Sequence, residues 1–187
     1  MDLATAILTG LGLAAAAGLN AYIPLVIVGF LQFFDVVDFG APFDNLANPW
    51  VLGVLVVLLL VEVLADKIPA VDTINDVIQT VVRPAAGAVL FAASTSLGTD
   101  IPPVVALIAG LITAGTVHGT KAAMRPVLNA GTAGAAAPVV STGEDIVSTA
   151  LAFAAILAPF LVLIALAVFV WLVVRWLRRR RRDPVPT

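Results

Sequence analysis

Long apolar runs separated by short polar segments dominate the sequence. A run of about 20 apolar residues is long enough to cross a bilayer as a helix. The runs cover residues 3–34, 50–65, 85–97, 102–123 and 146–177. The pattern therefore predicts an all-α fold, a polytopic bundle of transmembrane helices.

The first apolar run contains a polar interruption that ends at a proline. Asn20 and Tyr22 lie in this interruption, just before Pro24. Proline removes a helical hydrogen bond, and a broken helix exposes backbone groups that can bind a solute or ion. Asn20 and Tyr22 are therefore candidates for a substrate or ion pathway. The alternative is a simple kink with one hydrogen bond between helices.

Residues 69–82 have the pattern of an amphipathic helix. Apolar residues recur at helical spacing from Val71 to Val81, and Asp72, Asp76 and Gln79 fall on the other face. Pro84 is expected to stop or kink this helix. We expect the segment to pack its apolar face on the bundle or on the bilayer surface rather than to cross the membrane.

The number of crossings depends on the short apolar segment 126–140. Its length corresponds to roughly 22 Å of helix, less than the hydrocarbon core of about 30 Å. If it crosses, the four upstream basic residues lie on the same side as the arginine-rich tail, as cytoplasmic bases do. The acids Asp35, Asp38, Asp44, Asp100, Glu144 and Asp145 then lie outside.

We therefore predict about six segments with both termini cytoplasmic. Residues 1–177 form the transmembrane domain, and residues 178–187 form a basic cytoplasmic tail. Some of the helices are expected to be short or broken. Six segments also allow two inverted three-helix repeats, as in many transporters.

The composition agrees with a membrane environment and excludes several kinds of site. Hydrophobic residues make up 61% of the chain, charged residues 12%, and the mean hydropathy is +1.09. There is no cysteine and a single histidine, so we expect no metal centre and no cofactor. The sequence has no phosphate-cradling glycine loop, no H-E-x-x-H and no G-x-S-x-G. An enzyme, or a pump driven by ATP on this chain, is not expected.

Ionisable residues at membrane depth are expensive and are therefore functional candidates. Glu62 and Asp66 lie one turn apart near the end of an apolar run. His118 could relay protons, and Asn129 lies in a second glycine-rich break. The alternatives are acids solvated at the membrane edge and a histidine that only satisfies a neighbour.

The four upstream bases are candidates for binding an anion or a lipid headgroup, because cationic side chains bind phosphate and carboxylate. They are Lys67, Arg83, Lys121 and Arg125. They are equally explained as topological markers or as partners in salt bridges. We expect Arg83 or Arg125 to contact Glu62, Asp66, Asp72 or Asp76.

Two further patterns concern partners. Small residues at Gly10, Ala14 and Gly18, and at Gly115 and Gly119, predict close helix packing within one chain or in a homo-oligomer. An arginine run follows the last helix directly, which favours contact with anionic lipid of the bilayer over nucleic acid.

The sequence also resembles a bacterial family of small membrane proteins known as a domain of unknown function. The resemblance rests on three motifs. They are Gly18-Leu19-Asn20-Ala21-Tyr22-Ile23-Pro24-Leu25, Glu62-x-x-x-Asp66-Lys67-Ile68-Pro69-x-x-Asp72 and Arg83-Pro84-x-x-Gly87. The resemblance implies a polytopic protein of the bacterial inner membrane. It implies no activity.

Together these patterns favour transport or permeation of a small solute or ion. Binding or translocation of an anionic lipid is the first alternative. A scaffold or assembly partner without a substrate is the second alternative.

Overall fold

The computed structural model describes residues 2–66, 69–96, 98–132 and 137–180, with side chains for all but residues 69–74, 125–132, 179 and 180. Within these ranges the chain forms seven α-helices and one short 3-10 helix at Phe43–Ala47, and no strand. The helices are α1 (Leu3–Leu19), α2 (Tyr22–Phe33), α3 (Pro49–Ala65), α4 (Pro69–Ser96), α5 (Pro103–Thr132), α6 (Ala137–Leu157) and α7 (Phe160–Arg180). The predicted all-α fold is confirmed.

Among the described residues, four helices contain stretches long and apolar enough to cross a membrane. These stretches are Asn75–Ser96, Pro103–Met124, Ala137–Leu157 and Phe160–Arg178. The first three helices are also apolar but shorter, with 17, 12 and 17 residues. At 1.5 Å per residue they measure roughly 18–25 Å, which corresponds to the short helices that the sequence predicted.

Helix α1 lies at the centre of the bundle and contacts α4, α5 and α6 along its length. Thr9 Oγ1 donates to the carbonyl of Ala155 at 2.9 Å, and Ser148 Oγ donates to the carbonyl of Ala16 at 2.9 Å. Helices α1 and α6 are therefore antiparallel.

Small residues allow these close approaches. A Cβ added at Gly18 would lie 2.6 Å from the Ala114 carbonyl oxygen, and one at Gly10 would lie 3.0 Å from the Phe91 ring. Close packing at Gly10, Ala14 and Gly18 is thus confirmed within the chain. At Gly119 a Cβ would meet nothing within 4 Å in the described part of the chain, so packing of this glycine in a homo-oligomer stays a prediction.

Two segment boundaries differ from the prediction. Residues 126–132 continue α5, and α6 begins at Ala137, so segment 126–140 is not a separate crossing. The last apolar run is broken at Ala158-Pro159 into α6 and α7. The described chain thus has seven helices rather than six segments. The inverted repeat stays a prediction.

This helix order also changes the predicted topology. Gly12 packs against Val162 near the start of α7, and Ala15, Leu19 and Phe169 line one apolar groove of about 470 Å³ further along. Helices α1 and α7 therefore run in the same direction. The start of α1 and the end of α7 lie at opposite ends of the bundle, so the prediction of both termini on one side is wrong.

The predicted separation of charge is also wrong at Glu144. Its carboxylate lies 2.8 Å from Lys121 Nζ, so this acid and this base cannot be on opposite sides of the membrane. The polar residues 141–145, which precede the last apolar run, lie inside α6. This contact cannot be read from the sequence, because it forms only where α5 and α6 pack against each other.

The amphipathic segment 69–82 is the first part of α4 rather than a separate surface helix. The helix continues through Pro84, and the segment from Asn75 belongs to a candidate span. Val77 and Val81 are exposed on the outer face, whereas Gln79 and Arg83 are buried. The polar face points inward because it meets charged partners on other helices, and the apolar face is left for lipid.

The crossing of α4 and α5 depends on two glycines and yields a stability prediction. A Cβ at Gly110 would collide with the Gly87 carbonyl oxygen and would lie 2.7 Å from the Phe91 Cβ. We expect Gly110→Ala to lower the free energy of unfolding by about 1–3 kcal/mol, as overpacking does. The measurement is denaturant unfolding in mixed micelles, followed by circular dichroism.

The matched control is Gly53→Ala in α3, where an added Cβ meets nothing within 4 Å. Alanine is the better helix former by about 1 kcal/mol, so this variant should be unchanged or slightly stabilised. Equal stability of the two variants would show that α4 and α5 do not cross as closely as described.

The helix directions predict which loops share a side of the membrane. Asp44 and Asp100 are exposed near the same end of the bundle, and Arg178 is exposed near the other end of α7. Single cysteines at Asp44 and Asp100 should react with an impermeant thiol reagent from one side, and a cysteine at Arg178 from the opposite side. The natural chain has no cysteine, so it serves as the unlabelled control. Labelling of all three from one side would contradict the seven-helix arrangement.

Candidate functional site

A buried ion pair joins the middle of α4 to the end of α3. Arg83 has no exposed surface, and it donates from Nη2 and Nε to Glu62 Oε1 at 2.9 and 3.2 Å. Arg83 lies within the candidate membrane span Asn75–Ser96. The predicted contact between an arginine and one of the candidate acids is therefore present, buried inside the bundle.

Two further carboxylates lie near the same guanidinium. Arg83 Nη2 is 3.5 Å from Asp66 Oδ2, and Nη1 is 4.0 Å from Asp76 Oδ1. Asp66 also accepts a hydrogen bond from Asn75 at 2.8 Å. Arg83 thus has acids from both α4 and the end of α3 within ionic range.

Lys121 on α5 is the second buried base of this cluster. Its Nζ lies 3.6 Å from Asp66 and 2.8 Å from Glu144 on α6. It also donates to the carbonyl of Leu19 at 3.1 Å. Because Leu19 is the last residue of α1, Lys121 connects the end of α1 to α5 and α6.

The single histidine belongs to the same network. Arg83 Nη1 lies 3.1 Å from His118 Nδ1, and a guanidinium can only donate. Nδ1 is therefore the acceptor, which leaves the ring proton on Nε2, 3.2 Å from Thr80 Oγ1. Thr80 Oγ1 in turn donates a hydrogen bond to the backbone carbonyl of Asp76 at 2.8 Å. This chain of donors requires a neutral His118.

The break between α1 and α2 is organised by Asn20, which is fully buried. Its Oδ1 accepts from the backbone N–H groups of Tyr22 and Ile23, both at 3.1 Å. Its Nδ2 donates to Asp145 Oδ1 on α6 at 2.9 Å. Asn20 thus caps α2 and fastens the break to α6, while Tyr22 is half-buried at the start of α2.

Besides Gln32 on α2 and an oxygen of Asp76 that lies in ionic range of Arg83, three buried polar atoms have no hydrogen-bond partner among the described residues. They are Glu62 Oε2, Gln79 Oε1 and Ser141 Oγ. Burial of an unsatisfied polar atom costs free energy, so such atoms are uncommon and mark places where a ligand could bind. Glu62 is the charged one of the three.

The structure brings most of the sequence candidates to one place. Asn20, Glu62, Asp66, Arg83, His118 and Lys121 are connected by direct contacts or through α1 and α6. Lys67 lies outside the described residues, and so do the side chains of Arg125 and Asn129.

The sequence missed the contribution of α6 and part of that of α4. Glu144, Asp145 and Thr80 were not candidates, although they contact Lys121, Asn20 and His118. The available signal was the group of polar residues 141–145 between two apolar segments, which lies inside α6 rather than outside the helices. Within the described part of the chain, no three acid or imidazole groups converge as metal ligands.

The central ion pair yields a stability prediction. Removing one partner of a buried pair leaves the other charge uncompensated, so we expect Arg83→Ala to lower the free energy of unfolding by about 3–5 kcal/mol. The double variant Glu62→Gln, Arg83→Gln should lose less than the sum of the two single variants, because the partners interact. Denaturant titration in micelles measures the free energy of unfolding of Arg83→Ala, of the two single glutamine variants and of the double variant.

The control is Arg175→Ala, which removes an exposed arginine stacked 5.0 Å above the Trp171 ring. This exposed contact should contribute about 1 kcal/mol or less. If Arg83→Ala were as stable as Arg175→Ala, the buried pair would not hold α3 to α4.

Comparison with protein families identifies the chain over nearly its whole length. Residues 7–179 match the model of the family described as Domain of unknown function (DUF4126). Neither the curated proteins nor the solved structures include a match to the chain. The match includes the arginine, the histidine and the acids of the buried cluster. The chain is a member of the DUF4126 family.

Proposed function

We propose that the protein moves a small ion or solute across the membrane and that the buried cluster around Arg83 is its binding site. The observation that carries the proposal is the burial of Glu62, Arg83 and Lys121 inside the bundle, with Arg83 and Lys121 lying in candidate membrane spans. The adjoining break between α1 and α2 provides backbone that is not part of a continuous helix. Discontinuous helices of this kind form the substrate sites of many transporters.

The energetics of burial support a functional cluster. A charged side chain inside the bilayer costs several kcal/mol, and a bundle of this size could be held by apolar packing alone. A buried pair is often no more stabilising than apolar residues of similar volume. Retention of a whole network of charges is therefore better explained by binding than by stability.

The sign of the charges favours a cation or a proton over an anion. Arg83 and Lys121 already contact carboxylates, so binding of an anion there would have to displace Glu62, Asp66 or Glu144. Glu62, in contrast, has one carboxylate oxygen without a described partner. The site thus has spare capacity for positive charge.

The orientation in the membrane and the driving force follow from the charge of the tail and from the motifs that the sequence lacks. The arginine-rich end of α7 lies on the cytoplasmic side of the bacterial inner membrane, following the rule that cytoplasmic segments collect basic residues. The driving force is an ion or solute gradient rather than ATP bound by this chain.

The test is gradient-driven flux in vesicles that contain the purified protein. Separate gradients of H⁺, Na⁺ and K⁺ are imposed, and the movement of each ion is followed with an entrapped indicator. Wild-type protein should carry at least one of them above the rate of empty vesicles. Gly53→Ala, which lies outside the cluster, should keep the wild-type rate.

Arg83→Lys is the informative variant, because it keeps one positive charge but loses the planar guanidinium. It should fold and should lower flux by about tenfold or more, a change that corresponds to 1.4 kcal/mol. Wild-type protein that is folded, monodisperse and inactive with all three ions would favour the scaffold alternative.

A second candidate function, contact with anionic lipid, is favoured at a different place. Arg175 lies over the exposed Trp171 at the end of the apolar helix α7, and Arg178 is exposed one turn further. An aromatic residue followed by arginines is a pattern that anchors a helix at an anionic membrane surface. This contact would support the bundle and needs no part of the cluster.

A further inference from the structure

We infer that the ion taken up by the cluster is a proton, that it binds Glu62 Oε2, and that Arg83 exchanges carboxylate partners as the proton arrives. This inference rests on the proposed function and specifies its substrate. It follows from the geometry of Glu62, from the alternative partners of Arg83 and from the way α3 is held.

The two oxygens of the Glu62 carboxylate are used unequally. Oε1 accepts both hydrogen bonds from Arg83, and buried Oε2 accepts none from the described residues. A proton delivered by hydronium leaves a water molecule behind, forms one O–H bond at Oε2 and disrupts no hydrogen bond that Glu62 makes with the described residues. The same step converts the carboxylate to a neutral carboxylic acid and removes the ionic part of its attraction to Arg83.

Arg83 would not be left without an acid after this step. Asp66 lies 3.5 Å from Nη2 and Asp76 lies 4.0 Å from Nη1. A small movement of the guanidinium therefore replaces one carboxylate with another. When Arg83 returns to Glu62, the carboxylic acid loses its proton to water on the accessible side, and the cycle is complete.

The titratable and charged groups of the network that contains Glu62 fit this exchange. They are Asp66 on the same helix end, Asp76 and Arg83 on α4, His118 and Lys121 on α5, Glu144 and Asp145 on α6, and Tyr22 on α2. Lys121 has two acids of its own, Asp66 and Glu144. It can therefore keep an ionic partner when Asp66 turns to Arg83.

A proton fits these groups better than a dehydrated metal ion does. Metal ions such as Ca²⁺ need several oxygen ligands around one point. Among the described residues the acids are instead interleaved with Arg83 and Lys121, and no three acid or imidazole groups converge. A single carboxylate oxygen is enough to bind a proton.

The inference also couples the proton to a movement of α3. Within α3, whose side chains are all described, only Leu52 and Glu62 are buried. Leu52 packs near Gly29 on α2, and Glu62 binds Arg83 on α4. Neutralising Glu62 weakens the buried charged contact between α3 and α4, so α3 is the helix expected to move.

The experiment combines two measurements on the full chain in vesicles. Infrared difference spectra between high and low pH should show a buried carboxylic acid that is absent in Glu62→Gln and present in Asp44→Asn, an exposed control. Proton flux, measured with an entrapped pH indicator, should fall by about tenfold or more in Glu62→Gln and should persist with a shifted pH profile in Glu62→Asp.

The outcomes separate this inference from the proposed function. If Glu62→Gln keeps the carboxylic acid signal, Glu62 is not the proton site and the inference is overturned. If Na⁺ or K⁺ flux is unchanged by pH and by Glu62→Gln, transport stands and the inference fails. If the signal belongs to Glu62 but wild-type vesicles carry no ion, the proton site stands and the proposed function fails. Circular dichroism of each variant verifies that it is folded.

Discussion

The contact between Arg83 and Glu62 is the constraint on which the rest of the arrangement depends. A charge inside an apolar bundle must meet an opposite charge and fill its hydrogen bonds, or the fold loses several kcal/mol. Arg83 meets this requirement with Glu62, His118 and the nearby aspartates. The polar face of α4 must therefore turn inward, and the end of α3 must lie close enough for Glu62 to contact Arg83.

Small residues make this arrangement possible. Helices α4 and α5 approach closely at Gly87 and Gly110, where an added Cβ would collide with the facing backbone. This contact lies one turn from Arg83 and two turns from His118, so it sets the distance between the arginine and the imidazole. In a membrane, such packing takes the place of the hydrophobic effect between helices. The buried cluster therefore depends on the close packing of α4 and α5 at these glycines.

The cluster combines two properties that are usually in conflict. Its bases are well satisfied, which favours stability, and Glu62 has an oxygen without a described partner, which favours exchange. Alternative partners for Arg83 and Lys121 lie within 4 Å, so an exchange needs little movement. A network of this kind can change its protonation without exposing a bare charge to the apolar surroundings.

The sequence by itself determined the all-α membrane class, the break at Asn20 and the family, because each depends on local composition, spacing or motif. It also predicted that an arginine would contact one of four acids, but only the structure identified the pair as Arg83 and Glu62. Tertiary structure decided the seven-helix order, the inward polar face of α4 and the contribution of Glu144 and Asp145. These features depend on which helices pack against each other. Hydropathy does not distinguish a proline at which the helix ends, such as Pro159, from one through which the helix continues, such as Pro126. Charge rules failed at Glu144 because a buried base on α5 attracted it more strongly than any preference for one side of the membrane.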